Sequence, residues 1–467
     1  MARSGASGKK RLLERTKGSA GTEFEKRLRE LAVEADPQGE YACTTVTRTF
    51  VNWCKSAPSV PPPLRSALAR RDACTGKGMR NYRRKVIRDL NLNWKKASRD
   101  EYLADIEVVV VKPLRKPYPP PNHIVAESES AHVAWFKFME ERPIPDKRKP
   151  KLPFHRLQNE KLAINVVQDK SVIFKDAKGR LVGGVFRDFC PDEEAVKWAE
   201  AIVAEALPQL TNIRKEDPGK LSQVGYNAGK LDRPAFDWAK NLTRRKRDAT
   251  AVAQMDVKSS SVFALLWQMV RSRLPKEVIN DFDTFLTQLG IRRMDGSGQM
   301  ASEGSSGTYS VVLGDATFDF HNVELAPPAG LFGQNYSRGI HFEYQPHLFA
   351  LAWTLSRNKG PDAGGNFFMA KYGIRIEAAA NALVFWMPRE WHGTSLLDHS
   401  PYDAAPDFIQ RGAAIVTPNR MPGVWKKYRA NELTREEALA ELMEGSCEIF
   451  DEEDGEGKEE GSDEGDS

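Results

Sequence analysis

The chain has 467 residues, of which 40% are hydrophobic, so it is long enough to form one large domain or two ordinary ones around a substantial core. Its five cysteines never form a CxxC pair, which argues against a disulfide framework and a structural zinc site and favours a reducing compartment. The sequence shows neither a secretory leader nor an apolar run of about 20 residues, and its net charge is +5, so we expect a soluble intracellular protein with no membrane contact.

The N-terminal third predicts two regions that precede the main domain. Residues 1–40 begin with a Gly, Ser and Lys rich stretch that is typical of disorder, followed by a charged helix near Thr22 to Ala35. Residues 41–150 are predicted to form a basic, partly helical accessory region. Two segments rich in Pro and Lys, residues 113–121 and 142–153, are typical of semi-rigid linkers and mark its boundary with the next domain.

Residues 151–430 contain the predicted main domain. We expect an α+β fold whose core is a double-stranded β-helix, the jelly-roll or cupin-like arrangement, because short strands with frequent turns dominate this part of the chain. Strand-like alternation begins at Leu162, and helices predicted at residues 191–210 and 259–274 would buttress the sheet. The eight short strands expected after a Gly and Ser rich loop at residues 295–307 are YSVVLG, GIHFEY, LFALAWTL, NFFMAK, GIRIEA, ALVFWM, HGTSL and GAAIVT.

Charge is distributed unevenly along the chain. Residues 431–467 are predicted to form a helix and then a disordered tail, which carries ten acidic residues and one Lys from Asp451 onwards. Basic runs elsewhere predict contact with the phosphate backbone of nucleic acid, and we select from them Arg83, Arg84, Lys85, Arg244, Arg245, Lys246 and Arg247. The alternative is that these runs are solvated faces or localisation signals.

Three residues have the types and the spacing of a metal site. His341 and Glu343 lie two residues apart in the strand GIHFEY, so their side chains project from the same face. His392 opens the later strand HGTSL. Two His and one carboxylate on one side of an octahedral metal leave three positions free, which is how non-haem iron(II) oxygenases bind a bidentate oxo-acid and O2. We therefore predict that His341, Glu343 and His392 bind Fe(II), with His347 on the same strand face as an alternative ligand.

An oxo-acid bound at such a metal needs a cationic anchor. Arg411 begins the final predicted strand, beside the metal strands in a closed jelly roll, and its planar guanidinium matches the distal carboxylate of 2-oxoglutarate. Arg420 is the competing anchor. Asn335, Tyr336 and Arg338 precede the metal strand and are candidates for contacts with the oxo-acid or the substrate, although an Asn at this place can equally organise a loop.

The residues around these candidates carry a family resemblance. The order of HxE, GGNFF, WHGTS and a later Arg resembles the Tet-like branch of the iron(II) and 2-oxoglutarate oxygenases, particularly the fungal relatives of the TET and JBP nucleic-acid-base dioxygenases. The stretches that carry it are FGQNYSRGIHFEY (332–344), GGNFFMAKYGIRI (364–376) and REWHGTSL (389–396). The resemblance implies oxidation of a methylated base, such as 5-methylcytosine or N6-methyladenine, after the base is flipped into the iron pocket. It also implies a nuclear location, with a cytoplasmic one as the alternative.

One departure from the family pattern keeps three hypotheses open. The superfamily's first ligand pair is HxD, whereas this chain has HxE at His341 and Glu343. The chain is then a dioxygenase of a methylated base, a protein or small-molecule hydroxylase, or a jelly-roll nucleic-acid-binding protein that has lost its iron. Salt-dependent DNA binding favours the first hypothesis over the second, and retention of iron argues against the third.

Overall fold

The computed structural model describes residues 96–142, 151–229, 234–239, 241–243, 248–298, 304–313, 316–403 and 405–433. The described residues belong to one compact unit formed by residues 94–311 and 319–467, except for residues 312–318, which belong to a second unit. Several predictions fall outside the described residues: the basic runs at Arg83 to Lys85 and Arg244 to Arg247, the terminal helices and the acidic tail.

Six α-helices lie within the described residues: α1 (Lys96–Ala104), α2 (Glu129–Glu141), α3 (Glu193–Ala206), α4 (Ala249–Arg273), α5 (Lys276–Leu289) and α6 (Met421–Arg429). Side chains of Ser128, Asp192 and Asp248 accept hydrogen bonds from backbone N–H groups in the first turns of α2, α3 and α4, which fixes where these helices begin. None of the described helices has both the length and the apolar character that crossing a bilayer requires.

The described strands follow one another in the order β1 (Glu107–Val111), β2 (Ile124–Ala126), β3 (Phe154–Arg156), β4 (Ile164–Val166), β5 (Val172–Asp176), β6 (Leu181–Phe186), β7 (Lys220–Gly229), β8 (Pro234–Trp238), β9 (Ser306–Leu313), β10 (Ala316–Glu324), β11 (Ala329–Gln334), β12 (Arg338–His341), β13 (Ala350–Arg357), β14 (Phe367–Met369), β15 (Ile374–Ile376), β16 (Ala382–Trp386), β17 (His392–Thr394) and β18 (Gln410–Ile415). The fold is therefore α+β, as the sequence predicts.

Two large sheets contain most of these strands. A nine-stranded sheet has the order β1-β5-β6-β16-β13-β18-β11-β7-β8, and a five-stranded sheet has the order β12-β17-β14-β15-β4. Between β11 and β18 the chain passes repeatedly from one sheet to the other, and every pairing among these eight strands is antiparallel. Side chains from both sheets, including Leu331 and Val384 of the larger sheet and Met369 and Ile374 of the smaller, form one core between them.

The helices cover the other face of the nine-stranded sheet. The ring of Phe332 in β11 stacks on Phe263 of α4 with centroids 5.1 Å apart, and Trp353 of β13 packs against Phe189 just before α3. On this face Leu351 and Trp353 of β13 and Ile415 of β18 are fully buried. The predicted buttressing helices are thus present, and α5 is an additional helix that the sequence analysis missed.

The segment expected to be a linker is part of the folded unit. Strand β1 pairs in parallel with β5, and the backbone N–H groups of Leu114 and Tyr118 donate to the carbonyls of Lys371 and Ala370, both at 2.8 Å. The proline-rich run therefore lies against the turn that joins β14 to β15, where its backbone donors find partners. Residues 107–142 are thus joined to the sheets by strand pairing and hydrogen bonds.

One predicted strand belongs elsewhere in the fold. Residues 309–313 of the predicted strand YSVVLG lie in β9, which pairs with β10 in a separate two-stranded sheet. The nine-stranded sheet instead contains β11, a strand that the sequence analysis did not predict. The apolar residues of β11 are flanked by Pro, Gly and Asn, so its pattern resembles a loop more than a strand.

Candidate metal centre

Two of the predicted ligands face each other across a pair of strands. His341 in β12 is the direct partner of His392 in β17, and the two ring centroids are 4.3 Å apart. Each Nδ1 hydrogen bonds to the carbonyl two residues earlier: His341 to Gly339 at 2.9 Å and His392 to Glu390 at 2.8 Å. A carbonyl can only accept, so Nδ1 carries the proton in both rings and Nε2 keeps a free lone pair. Both imidazoles are therefore in the tautomer that binds a metal through Nε2.

Glu343 completes the group. Its Oε2 lies 3.8 Å from His341 Nε2, and one ligand atom from each of His341, Glu343 and His392 can be chosen so that all lie within 4.8 Å of one another. Within the part of the chain that the structure describes, no other group of three His, Cys, Asp or Glu residues has this spacing. Two imidazole nitrogens and one carboxylate match the donor set of non-haem iron(II) sites, so the residues present fit that metal.

The surroundings keep all three side chains in their metal-binding protonation states. Burial, reinforced by the neighbouring His341, lowers the pKa of His392 to about 3, and burial together with the charge of Arg338 lowers the pKa of His341. Burial alone would raise the pKa of Glu343, but the adjacent His341 and the charge of Arg338 hold it well below its usual range. A metal ion would therefore displace few protons at neutral pH.

Arg338 places a cation beside the cluster. Its Nη1 donates to Glu343 Oε2 at 3.1 Å, and its Nε lies 3.9 Å from Asp217. The Tyr336 hydroxyl donates to the same Asp217 carboxylate at 2.5 Å. Tyr336 and Arg338, two of the residues predicted just before the metal strand, are thus linked through Asp217 to Glu343 by two hydrogen bonds and one ion pair.

The cluster faces the core between the two sheets. The ring centroids of Trp386 and Phe367, which belong to that core, lie 5.5 and 6.0 Å from the ring of His392. The Trp386 indole N–H is buried and has no hydrogen-bond partner among the described residues. On the same side of the larger sheet, the small side chains of Ala352 and Ala414 are partly exposed, whereas their neighbours on the helix side are buried. Ala352 and Ala414 thus pack against the core between the sheets without being fully buried.

Arg411 is not brought to this cluster. It is paired with Gln334 across β18 and β11, on the same side of the sheet as Phe332, and so it faces the helices. Its guanidinium forms an ion pair with Glu200 of α3 and donates to Gln334 Oε1 at 2.8 Å. The expectation that Arg411 anchors the oxo-acid has no support from this position, because the sheet separates it from the cluster.

The other predicted residues have structural contacts. Asn335 has a φ of 50° and is buried, with its side chain bonded to the backbone of Phe408 and Gln410, so it organises the loop between β11 and β12. Arg420 donates to the carbonyl of Gly229. His347 is packed between Phe282 and Phe285, and its Nδ1 donates to the carbonyl of Phe349 at 2.6 Å, apart from the three ligands.

Comparison with known proteins found structural similarity but no match to a family model or a curated protein. No family model matches the chain, and no curated protein matches it. One solved structure to which it is similar is NgTET1 in complex with 5mC DNA, with 9% sequence identity and a TM-score of 0.35 over 62% of this chain and 88% of that one.

Replacement of a central ligand should abolish metal retention. We expect His392→Ala to weaken binding of Fe(II) or Mn(II) by about 100-fold or more, because it removes one of three ligand atoms from a site whose outer contacts alone are typically worth 10–100-fold. Isothermal titration under anaerobic conditions measures this affinity. The matched control is His347→Asn, which removes the alternative ligand and should leave the affinity unchanged. Equal affinity in His392→Ala and the wild type would contradict the ligand assignment.

His347 should make folding sensitive to acid. Burial lowers its pKa to about 3, compared with about 6.5 for an unfolded His, so below about pH 6.5 the unfolded chain binds a proton that the folded chain does not. His347 therefore contributes stability that is present above pH 6.5 and is lost as the pH falls towards 3. His347→Asn keeps a donor for the Phe349 carbonyl but cannot be protonated. The free energy of unfolding is measured in urea at about pH 7 and at about pH 5. We expect its decrease between these pH values to be about 1–2 kcal/mol smaller in the variant than in the wild type. An equal fall in both proteins would show that His347 is already charged or exposed.

Proposed function

We propose that the chain is an iron(II) and 2-oxoglutarate-dependent dioxygenase that oxidises a methylated base in nucleic acid. The observation that carries this proposal is the cluster of His341, Glu343 and His392, whose ligand atoms lie within 4.8 Å of one another, with Arg338 beside them. A structural metal site in a protein usually has four ligands and is closed. This cluster offers three, which suits a metal that must also bind co-substrate and O2.

The strand order supports a jelly-roll core. Strands β11, β18, β13 and β16 are neighbours in the larger sheet, and β12, β17, β14 and β15 are neighbours in the smaller one. Two facing sheets of four antiparallel strands, between which the chain alternates except for the hairpin β14–β15, are the arrangement of the double-stranded β-helix. In this arrangement the ligands lie at the ends of β12 and β17, on the inside of the sandwich.

The residues present have distinct roles in the proposed reaction. Bound at the two Nε2 atoms and Glu343, iron(II) would activate O2 for oxidation of a substrate C–H bond, coupled to oxidative decarboxylation of the oxo-acid to succinate and CO2. Arg338 is our candidate to hold a carboxylate of the oxo-acid, because it is a fixed guanidinium at the cluster and can pair with a carboxylate through two N–H groups. The Trp386 indole is a buried donor that a bound ligand could satisfy.

A nucleic-acid base as substrate rests on the sequence resemblance and on the basic runs of the chain. The small side chains of Ala352 and Ala414 pack against the core between the sheets, and the aromatic rings of Phe367 and Trp386 provide faces on which a flipped base could stack. A protein or small-molecule hydroxylase would use the same metal and co-substrate, and the substrate tests below separate these alternatives.

The oxo-acid site can be tested by anaerobic titration of Fe(II) and 2-oxoglutarate, followed by the visible charge-transfer band of the chelated oxo-acid. We expect the band in the wild type. Arg338→Lys should weaken oxo-acid affinity about tenfold or more, because a lysine keeps the charge but loses the planar pair of N–H donors. Arg411→Lys is the matched control on the helix side and should leave the affinity unchanged. Weakening in Arg411→Lys alone would return the anchor to Arg411, and absence of the band in the wild type would overturn the oxygenase proposal.

Substrate class can be tested by turnover. With iron, 2-oxoglutarate and O2 present, succinate release should rise when oligonucleotides containing 5-methylcytosine or N6-methyladenine are added, compared with the same unmethylated sequences. The stimulation should diminish at high salt, since phosphate contacts weaken as counterions compete for the backbone. Equal succinate release with methylated and unmethylated oligonucleotides would contradict a methylated base as substrate and favour a protein or small molecule.

A further inference from the structure

Gln345 is a buried polar residue next to the cluster that is not itself a candidate ligand. Its side chain is 3% exposed. Its Nε2 donates to Glu343 Oε1 at 2.9 Å, and its Oε1 accepts from the backbone N–H of Thr417 at 3.3 Å. Thr417 follows β18, so Gln345 links the carboxylate of Glu343 through two hydrogen bonds to the end of a strand in the larger sheet.

The carboxylate of Glu343 is held at both oxygens. Oε1 accepts from Gln345, and Oε2 accepts from Arg338 at 3.1 Å. The backbone at this point is fixed by a hydrogen bond from the N–H of Glu343 to the carbonyl of Pro388 at 2.8 Å. With the backbone and both oxygens held, the carboxylate has one orientation, in which Oε2 faces His341.

These contacts matter because strand geometry does not position this ligand. Strand β12 ends at His341, so Glu343 lies beyond the ladder that aligns His341 with His392. A glutamate also has one more rotatable bond than an aspartate, and the freedom of that bond opposes metal binding unless neighbours remove it. The hydrogen bonds from Gln345 and Arg338 restrict rotation about that bond.

We propose that Gln345 is the positioning residue that allows a glutamate to serve as the carboxylate ligand of this centre. By holding Oε1 from the side of β18, Gln345 leaves Oε2 directed to the two imidazole Nε2 atoms. The proposal rests on the metal site in the proposed function. It adds the residue that allows the His-x-Glu pair to bind the metal. It has a consequence for the ligand itself: the space between Gln345 and Arg338 fits a glutamate, and an aspartate at position 343, one methylene shorter, cannot reach both partners.

The test is a double-mutant cycle on metal affinity, measured by anaerobic titration of Fe(II) or Mn(II) into the full chain. Gln345→Met keeps the size of the side chain and removes both polar atoms, and we expect it to weaken metal binding about tenfold or more. Glu343→Asp should also weaken binding rather than improve it. The double variant should bind no more than about threefold more weakly than Glu343→Asp alone, because the shorter carboxylate has already lost its contact with Gln345.

The matched control is Gln223→Met, the same change at a Gln that is also buried, in β7, where its Nε2 donates to the Tyr226 carbonyl. It should leave metal affinity unchanged, whatever it does to stability. Losses that add fully in the double variant, or wild-type affinity in Gln345→Met, would overturn the role of Gln345 while leaving the metal site intact. No metal binding by the wild type would overturn both this proposal and the proposed function.

Discussion

The antiparallel pairing of β12 with β17 is the constraint on which the rest of the site depends. It sets His341 directly opposite His392, and the short bonds from each Nδ1 to a carbonyl two residues earlier turn both Nε2 atoms to the same side. Neither strand is long enough to be stable alone, so their pairing relies on β14 and on the core between the sheets. The two imidazoles are thus held by the fold before any metal binds, which limits the rearrangement that binding requires.

The two faces of the nine-stranded sheet have different surroundings: one packs against helices, and the other faces the core between the two sheets. On one face, large side chains such as Phe332 and Trp353 are buried under helices, and Arg411 forms its ion pair with Glu200 there. On the other, Ala352 and Ala414 are partly buried against the core between the sheets. Successive side chains in a strand alternate between faces. A shift of one residue in the strand register therefore decides whether an arginine lies against the helices or on the opposite face of the sheet.

This explains which parts of the site could be predicted from sequence. His341 and Glu343 are two residues apart, which predicts a shared strand face, and the order of the later motifs added His392. In the structure β12 ends at His341, and Glu343 is held at the cluster by hydrogen bonds from Arg338 and Gln345 instead. The side on which Arg411 lies could not be predicted, because the sequence places it on the last strand but does not say which face of the sheet it occupies. Arg338 could be recognised only as a neighbour of the metal strand, since its contact with Glu343 depends on a register irregularity between Arg338 and His341. The strands from β12 to β18 were predictable from alternation, whereas several others were not, among them β1, β7 and β11, where prolines and glycines interrupt or border the apolar residues.

The replacement of aspartate by glutamate need not mean that the site is degenerate. A degenerate site would be expected to lose its outer contacts, since nothing then maintains buried polar groups that cost stability when unpaired. Here the opposite is observed: both Nδ1 atoms have carbonyl partners, and both oxygens of Glu343 have donors. The buried carboxylate has a guanidinium donor on one oxygen and an amide donor on the other, so its hydrogen-bonding needs are met by the fold. The buried N–H of Trp386, by contrast, has no hydrogen-bond partner among the described residues and adds a desolvation cost beside the cluster.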